Sequence, residues 1–160
     1  MMEEQQKHLV GICGIYCGTC PFFLAYRLND TAMMAKLAED YKMPMEALQC
    51  DGCLSNRVAP HCKSCRYGFR ECAITHGVTW CFQCDEFPCK RLEKFQGVHV
   101  VDGISHHEHL IEFLAEMKAE GIEKWIRKQE QAGRCPACGT SHYWFARTCS
   151  VCGKQIRNNP

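Results

Sequence analysis

The sequence lacks the features that direct a chain into or across a membrane. Its first ten residues, MMEEQQKHLV, are polar and acidic, whereas a secretory signal needs a basic start followed by an apolar stretch of about 7–15 residues. No apolar run approaches the roughly 20 residues that span a bilayer. We therefore expect a cytoplasmic protein with no membrane partner.

The sequence also has little excess charge of either sign. Lysine and arginine total 19 against 18 aspartates and glutamates, which gives a formal net charge of +1. Metal-bound cysteine is a thiolate, so a zinc ion with four cysteines carries a formal charge of about −2. A broadly basic surface for nucleic acid is therefore disfavoured, and we expect a protein partner instead.

Cysteine, in contrast, is abundant, with 15 among 160 residues. In the cytosol thiols stay reduced, and clustered cysteines there are typical of metal sites rather than disulfides. The odd count agrees with this interpretation. We therefore predict that metal ions replace part of the hydrophobic core of a small protein.

All fifteen cysteines are candidate metal ligands, and their spacing divides them into groups. In chain order they are Cys13, Cys17 and Cys20; Cys50 and Cys53; Cys62, Cys65, Cys72, Cys81, Cys84 and Cys89; and Cys135, Cys138, Cys149 and Cys152. A cysteine-free stretch over 90–134 separates the last four from the rest.

The segment CPACGTSHYWFARTCSVCGK carries the strongest local pattern. Each Cys-x-x-Cys pair supplies two thiolates from a tight turn, and the glycine after it permits the positive φ that such a turn needs. Cys135, Cys138, Cys149 and Cys152 are therefore predicted to hold zinc in a ribbon. The intervening HYWFA has the composition of a strand.

The other eleven cysteines can be divided in more than one way. Local spacing pairs Cys50 and Cys53 with Cys62 and Cys65, and it leaves Cys72, Cys81, Cys84 and Cys89 as a further set. A cross-braced arrangement, such as 50/53 with 81/84, is equally compatible with the sequence. Zinc is the expected metal in several sites, and an iron–sulfur cluster is the alternative.

The triad in CGIYCGTC has no fourth cysteine of its own. His61, which precedes Cys62, or a thiol freed by another pairing could complete it. Otherwise the triad could hold a metal with an open position, as catalytic zinc requires. Its spacing also occurs in radical S-adenosylmethionine enzymes, but this chain is too short for their barrel and lacks repeated βα units.

Helical periodicity appears in several segments between the cysteines. FFLAYRLNDTAMMAKLAEDYKM predicts a helix broken near 29–31, capped by Asp30 or Thr31 and ended by Pro44. FRECAITH and PCKRLEKF predict short helices. HHEHLIEFLAEMKAE and IEKWIRKQEQ predict a helix interrupted at Gly121. His106 and His109 could share a helical face and bind metal, although a polar first turn explains them more simply.

These elements predict a small, mainly α, metal-stabilised cysteine-rich domain with a C-terminal β zinc ribbon. We place a cysteine-rich metal-binding domain at 8–98, a helical connector that packs on it at 99–133, and the ribbon at 134–156.

Six quoted stretches together resemble one protein family. They are CGIYCGTCPFF, CDGC, CKSCRYGFRECA, GVTWCFQCDEFPC, GIEKWI, and CPACG followed by CSVCGK. In this order they resemble the DUF3795 family of cysteine-rich proteins, over about residues 10 to 155. The resemblance implies that the eleven cysteines from Cys13 to Cys89 are the family's cysteines, accompanied by Arg70 and Pro88. It implies no activity.

Two functions of different classes follow. The first is a non-enzymatic zinc protein with several four-cysteine sites and a structural or interaction role. The second is an iron–sulfur or thiol-dependent redox enzyme that uses Cys13, Cys17 and Cys20. A weaker alternative is a metal or metalloid sensor that uses the same thiols. The catalytic residues, if any, are unknown from the sequence.

Overall fold

A computed structural model describes residues 4–157. Helices dominate these residues. The α-helices are α1 (Pro21–Leu28), α2 (Thr31–Tyr41), α3 (Pro60–Lys63), α4 (Phe69–His76), α5 (Lys90–Phe95), α6 (Leu110–Glu120) and α7 (Ile122–Ala132). Short 3-10 helices span Glu4–Leu9, Cys17–Thr19, Met45–Leu48 and Cys81–Gln83. Strands β1 (Val100–Val101) and β2 (Ile104–Ser105) form an antiparallel hairpin, in which Val100 lies opposite Ser105.

The break between α1 and α2 lies where the sequence predicts it. Asn29 adopts a left-handed conformation at the end of α1. The Asp30 carboxylate then accepts a hydrogen bond from the backbone N–H of Met33 at 3.0 Å and caps α2. Helix α2 ends at Tyr41, before Pro44, because Lys42 takes a left-handed conformation.

The long helical stretch is two helices, as its interruption at Gly121 predicts. Gly121 has φ +92, a conformation that L side chains rarely adopt, and its N–H donates to the carbonyl of Met117 at 3.0 Å. Helix α7 begins at the next residue. Leu114, Met117 and Trp125 are fully buried or nearly so, which confirms the apolar faces read from the sequence.

The principal core lies between α6, α7 and the cysteine-rich segments. Its buried residues come from the start of the chain, from the middle and from α6 and α7: Leu9, Val10, Ile12, Cys13, Tyr16, Phe69, Ala73, Trp80, Leu92, Phe95, Leu110, Leu114, Met117, Trp125 and Ile126. Gly14 (φ +95) packs against α6 so closely that a Cβ there would lie 2.8 Å from Leu114 Cγ. The segment CGIYCGTC is therefore held directly against this helix.

A second apolar cluster joins α1 and α2 to the segment that precedes α3. Its buried members are Phe22, Ala25, Met34, Leu37, Leu48, Cys50 and Ala59. Cysteine side chains belong to both clusters. Several of the cysteines between residues 13 and 89 therefore lie within or against the packed regions, whereas Cys138 and Cys152 are exposed.

The strand predicted over residues 142–146 was wrong. Between residues 134 and 157 the structure contains only isolated bridges, which join Arg134 to Ser141 and Thr148 to Gln155. The backbone of residues 142–146 forms no strand, and the side chains of Tyr143 and Trp144 contact distant residues of the protein. None of the helices formed by residues 4–157 has the length and apolar character that crossing a bilayer requires.

Candidate metal centres

Four sulfur atoms near the end of the chain converge on one point. The Sγ atoms of Cys135, Cys138, Cys149 and Cys152, here called the terminal group, all lie within 4.8 Å of one another. The 135–152 and 138–149 sulfur pairs are each 3.6 Å apart. A zinc ion with four bonds of about 2.3 Å places its sulfurs about 3.8 Å apart. The terminal group therefore fits a single tetrahedral metal ion.

Two similar turns build this arrangement. The backbone N–H of Cys135 donates to the carbonyl of Thr140, and that of Cys149 donates to the carbonyl of Lys154, both at 2.8 Å. Gly139 and Gly153 follow the second cysteine of each pair at φ +74 and +71. Because glycine tolerates positive φ, each chain reverses tightly enough to present two sulfurs on one side.

Hydrogen bonds already favour thiolate at part of the terminal group. The side chain and backbone of Thr140 lower the pKa of Cys138 to about 6, and the backbone N–H of Cys138 lowers that of Cys135. The Lys154 backbone lowers the pKa of Cys152, but the neighbouring thiols outweigh it and raise it to about 12. Four thiolates this close repel one another, so full ionisation requires a cation.

The terminal group is docked on the rest of the protein by the residues between its two turns. The hydroxyl of Tyr143 donates to Oδ2 of Asp30 at 2.6 Å. The backbone N–H of Trp144 donates to the carbonyl of Thr19 at 3.1 Å, and its ring stacks on His106 with centroids 5.0 Å apart. The terminal group is thereby attached to the CGTC segment and to the start of α2.

Seven further thiols form one group between the two apolar clusters. This seven-thiol group consists of Cys13, Cys17, Cys20, Cys50, Cys53, Cys62 and Cys65. Burial raises the pKa of Cys13 and of Cys17, and the nearby Cys53 raises both further. Burial also raises the pKa of Cys20 to about 12. Without a cation the thiols of Cys13, Cys17 and Cys20 are therefore protonated near pH 7.

A histidine joins the seven-thiol group. His61 Nε2 lies 3.3 Å from Cys62 Sγ, and the imidazole packs against Phe22 and Tyr41 with centroids 4.3 and 5.1 Å apart. His61 as a whole remains exposed, but partial burial of its ring in these contacts lowers the pKa of His61 to about 4. A neutral imidazole has a free lone pair, which is the form that binds metals. The group thus offers eight donor side chains.

Arg70, at the start of α4, braces the same group. Its Nε donates to the carbonyl of Cys62 at 3.0 Å, and its Nη2 donates to the carbonyl of Cys53 at 2.6 Å and lies 3.5 Å from Cys53 Sγ. The guanidinium therefore fixes two cysteine-bearing segments, the loop at Cys53 and helix α3 at Cys62, and places a positive charge beside a candidate ligand.

The remaining four thiols line one small cavity. This four-thiol group comprises Cys72 from α4, Cys81 and Cys84 from a 3-10 turn, and Cys89 before α5. Burial raises the pKa of Cys81 to about 12; its three thiol neighbours add to this, and Arg91 opposes it. The four cysteines that local spacing pairs therefore line one cavity. Cys81 also acts electrostatically on Cys13 of the seven-thiol group, so the division of the ligands between sites stays a prediction.

Sulfur spacing distinguishes both of these groups from the terminal group. Among residues 4–157, no three of the eleven cysteines from Cys13 to Cys89 have all their sulfurs within 4.8 Å of one another. These cysteines are close enough to perturb each other electrostatically but do not form a compact tetrahedral set. Their assignment as metal ligands stays a prediction.

A family model described as a protein of unknown function, DUF3795, matches residues 9–94, which is more than half of the chain. The chain belongs to the DUF3795 family. All eleven cysteines of the seven-thiol and four-thiol groups lie inside the matched region, whereas the terminal group lies outside it. No curated protein and no solved structure matches the chain.

The histidine pair considered in the sequence does not form in this DUF3795 protein. His109 is half-exposed and lies 3.0 Å from Glu112, whereas His106 is buried against Trp144. The two residues precede α6, which begins at Leu110, so helical spacing does not bring them together.

Sequence reasoning missed the structural role of Arg70 and the docking role of Tyr143. The sequence pointed to Arg70 only through the family resemblance. Its hydrogen-bond partners, Cys62 and Cys53, lie 8 and 17 residues earlier in the chain, so no local pattern predicts these bonds. Tyr143 contacts Asp30, which lies 113 residues earlier in the chain. The position of Arg70 within a block of cysteines is the one sequence feature that indicates its structural role.

The docking of the terminal group can be tested at its hydrogen bond to α2. Tyr143→Phe removes the hydroxyl that Asp30 accepts from, and we expect the free energy of unfolding to fall by about 1 kcal/mol. Urea denaturation at a fixed zinc concentration measures the change.

The Asp30→Ser background provides the control, because serine still caps α2 but is too short to reach Tyr143. There Tyr143→Phe should cost nothing further. Equal losses in both backgrounds would show that the hydrogen bond does not hold the terminal segment.

Proposed function

We propose that this DUF3795 protein is a metal–thiolate protein whose terminal group holds one structural zinc ion in a zinc ribbon. The convergence of four sulfurs within 4.8 Å carries this proposal. Four thiolates in tetrahedral arrangement are typical of structural zinc, and such a site leaves no coordination position for a substrate. The role of this zinc ion is therefore to stabilise the conformation of residues 134–156, here called the module. That the module binds a protein partner stays a prediction.

Zinc bound by the terminal group would also shape the docking surface. Tyr143 and Trp144 lie between its two turns, so fixing both turns fixes the side chains that contact Asp30, Thr19 and His106. The metal would thus stabilise the attachment of the module to the body, in addition to the module itself.

Cys138→Ala tests the zinc proposal. The variant should lose about one zinc ion per chain, because three thiolates bind zinc far more weakly than four. Zinc per chain is measured by elemental analysis after gel filtration. Ser150→Ala, an exposed neighbour, serves as the control and should keep the full zinc content. Unchanged zinc in Cys138→Ala would overturn the assignment.

A second candidate function is favoured by the geometry of the four-thiol group. A zinc ion needs its four sulfurs about 3.8 Å apart, whereas a four-iron cluster spreads them to about 6 Å. No three sulfurs of this group lie within 4.8 Å of one another. This spacing, wider than one zinc ion requires, is the observation that favours a cluster at the four-thiol group.

We infer that Cys72, Cys81, Cys84 and Cys89 bind an iron–sulfur cluster. Such a cluster supplies one-electron transfer. The apolar side chains of Phe69, Phe87 and Leu92 line the same cavity and would limit access of water. Arg91 lies beside Cys81 and would partly balance the negative charge of the thiolates.

The seven-thiol group, together with His61, has enough donors for two four-coordinate sites. This count would supply the missing fourth ligand of the triad, because Cys13, Cys17 and Cys20 lie near other thiols of the same group. His61 would be the eighth donor, since its Nε2 is already 3.3 Å from the Cys62 sulfur. We propose metal binding at this group without dividing its ligands between the two sites.

Anaerobic purification tests the iron–sulfur inference. Wild-type protein should be brown and contain iron and acid-labile sulfide, and Cys84→Ala should lose at least part of the visible absorption and iron. Cys152→Ala removes one thiol from the terminal group and should leave the iron content unchanged. Colourless wild-type protein that contains only zinc would exclude the cluster.

A further inference from the structure

A cavity that the proposed metal sites do not use opens beside the seven-thiol group. It has a volume of about 440 Å³ and lies between the 3-10 helix Met45–Leu48, the loop after it, and the helices α3 and α4. This volume is within the range of about 300–1,000 Å³ found for small-molecule sites. The cavity is therefore large enough for an organic ligand.

The charge of the cavity wall is strongly one-sided. Arg57, Lys63 and Arg70 line it, and Glu46 is the one carboxylate that the lining contains. Gln49 and Asn56 add amide groups. A wall with three cations and one anion attracts a negatively charged ligand and repels a metal ion.

Arg70 is fixed in place with part of its guanidinium unused. Its Nε and Nη2 are held by the carbonyls of Cys62 and Cys53. Its Nη1 makes no hydrogen bond with any residue in 4–157, although it carries two N–H donors. A guanidinium anchored on one side is pre-organised to bind an oxyanion on the other.

Other side-chain hydrogen-bond donors that line the cavity also lack partners among the residues that the structure describes. The side chain of Lys63 has no ion pair or hydrogen bond within the described part of the chain, and the side-chain amides of Gln49 and Asn56 have none there either. Arg57 is held at the rim by Tyr26 and lies 3.7 Å from Asp51. Donors without a partner within residues 4–157 thus line one space from several sides, together with the Glu46 carboxylate and the Ser55 hydroxyl.

We propose that this cavity binds a small organic anion that carries a phosphate or carboxylate group. The ligand's oxyanion is bound by Arg70 and Lys63, and the amides of Gln49 and Asn56 hydrogen-bond its remaining polar atoms. Since Arg70 also contacts the Cys53 sulfur, the ligand lies next to the seven-thiol group. The proposal goes beyond metal binding and does not depend on which metal the thiols hold.

Three probes of similar size separate the possible ligand groups: glucose 6-phosphate, gluconate and glucose. Isothermal titration calorimetry of the metal-loaded protein should detect binding of at least one of the two anions and none of glucose. Phosphate and carboxylate recognition are distinguished by which anion binds more tightly. Binding should weaken as the salt concentration rises.

Lys63→Gln should weaken binding of the favoured anion by about tenfold, because it removes one charged hydrogen-bond donor. Lys94→Gln is the matched control, since Lys94 is exposed on α5 and lies outside the cavity. Metal content and thermal unfolding are measured for each variant, so a loss of metal is not mistaken for a loss of ligand binding.

Three results would overturn the proposal: no binding of either anion, equal binding of glucose, or equal weakening by Lys63→Gln and Lys94→Gln. Arg70→Lys gives an independent check. It keeps the positive charge but loses the planar fork, so anion affinity should fall while the charge of the cavity is unchanged. Unchanged affinity in this variant would also contradict the role given to Arg70.

Discussion

The burial of many thiols in a small space is the constraint on which this structure depends. Cys13, Cys17, Cys20, Cys53, Cys62 and Cys81 all have raised pKa values, chiefly because they are removed from water. A protonated thiol packs as a small apolar group, whereas a thiolate in such a place requires a cation. The fold can therefore place these cysteines in its interior, and bound metal ions would convert them from packing groups into cross-links.

The helices α6 and α7 hold the cysteine-containing segments in place by apolar packing. They bury Leu114, Met117 and Trp125 against the segment that contains the first cysteines. The backbone N–H of Cys81 also donates to the carbonyl of Ile12 at 2.9 Å, which links the four-thiol group to that segment. The terminal group is attached through Trp144 to Thr19 in the same stretch. Residues 12–20, which include CGIYCGTC, thus contain members of one group of thiols and are hydrogen-bonded to the segments that carry the other two.

The sequence predicted correctly those features that depend on interactions between residues close together in the chain. The Asp30 cap, the interruption at Gly121 and the two Cys-x-x-Cys turns each depend on residues within a few positions of one another. Contacts across long stretches of the chain decide the rest. Neither the proximity of the triad to the later cysteines nor the bracing by Arg70 has a local pattern. The strand expected over residues 142–146 failed for the same reason, because Tyr143 and Trp144 pack on distant residues.

The central claim is that one chain contains two kinds of metal centre, a compact zinc site at the terminal group and an iron–sulfur cluster at the four-thiol group. X-ray absorption at the zinc and iron edges of anaerobically purified protein tests it most directly. We predict zinc with four sulfurs at about 2.3 Å, together with iron that shows sulfur ligands and an iron–iron distance of about 2.7 Å. Iron without a short iron–iron distance, or zinc as the one metal present, would contradict the account.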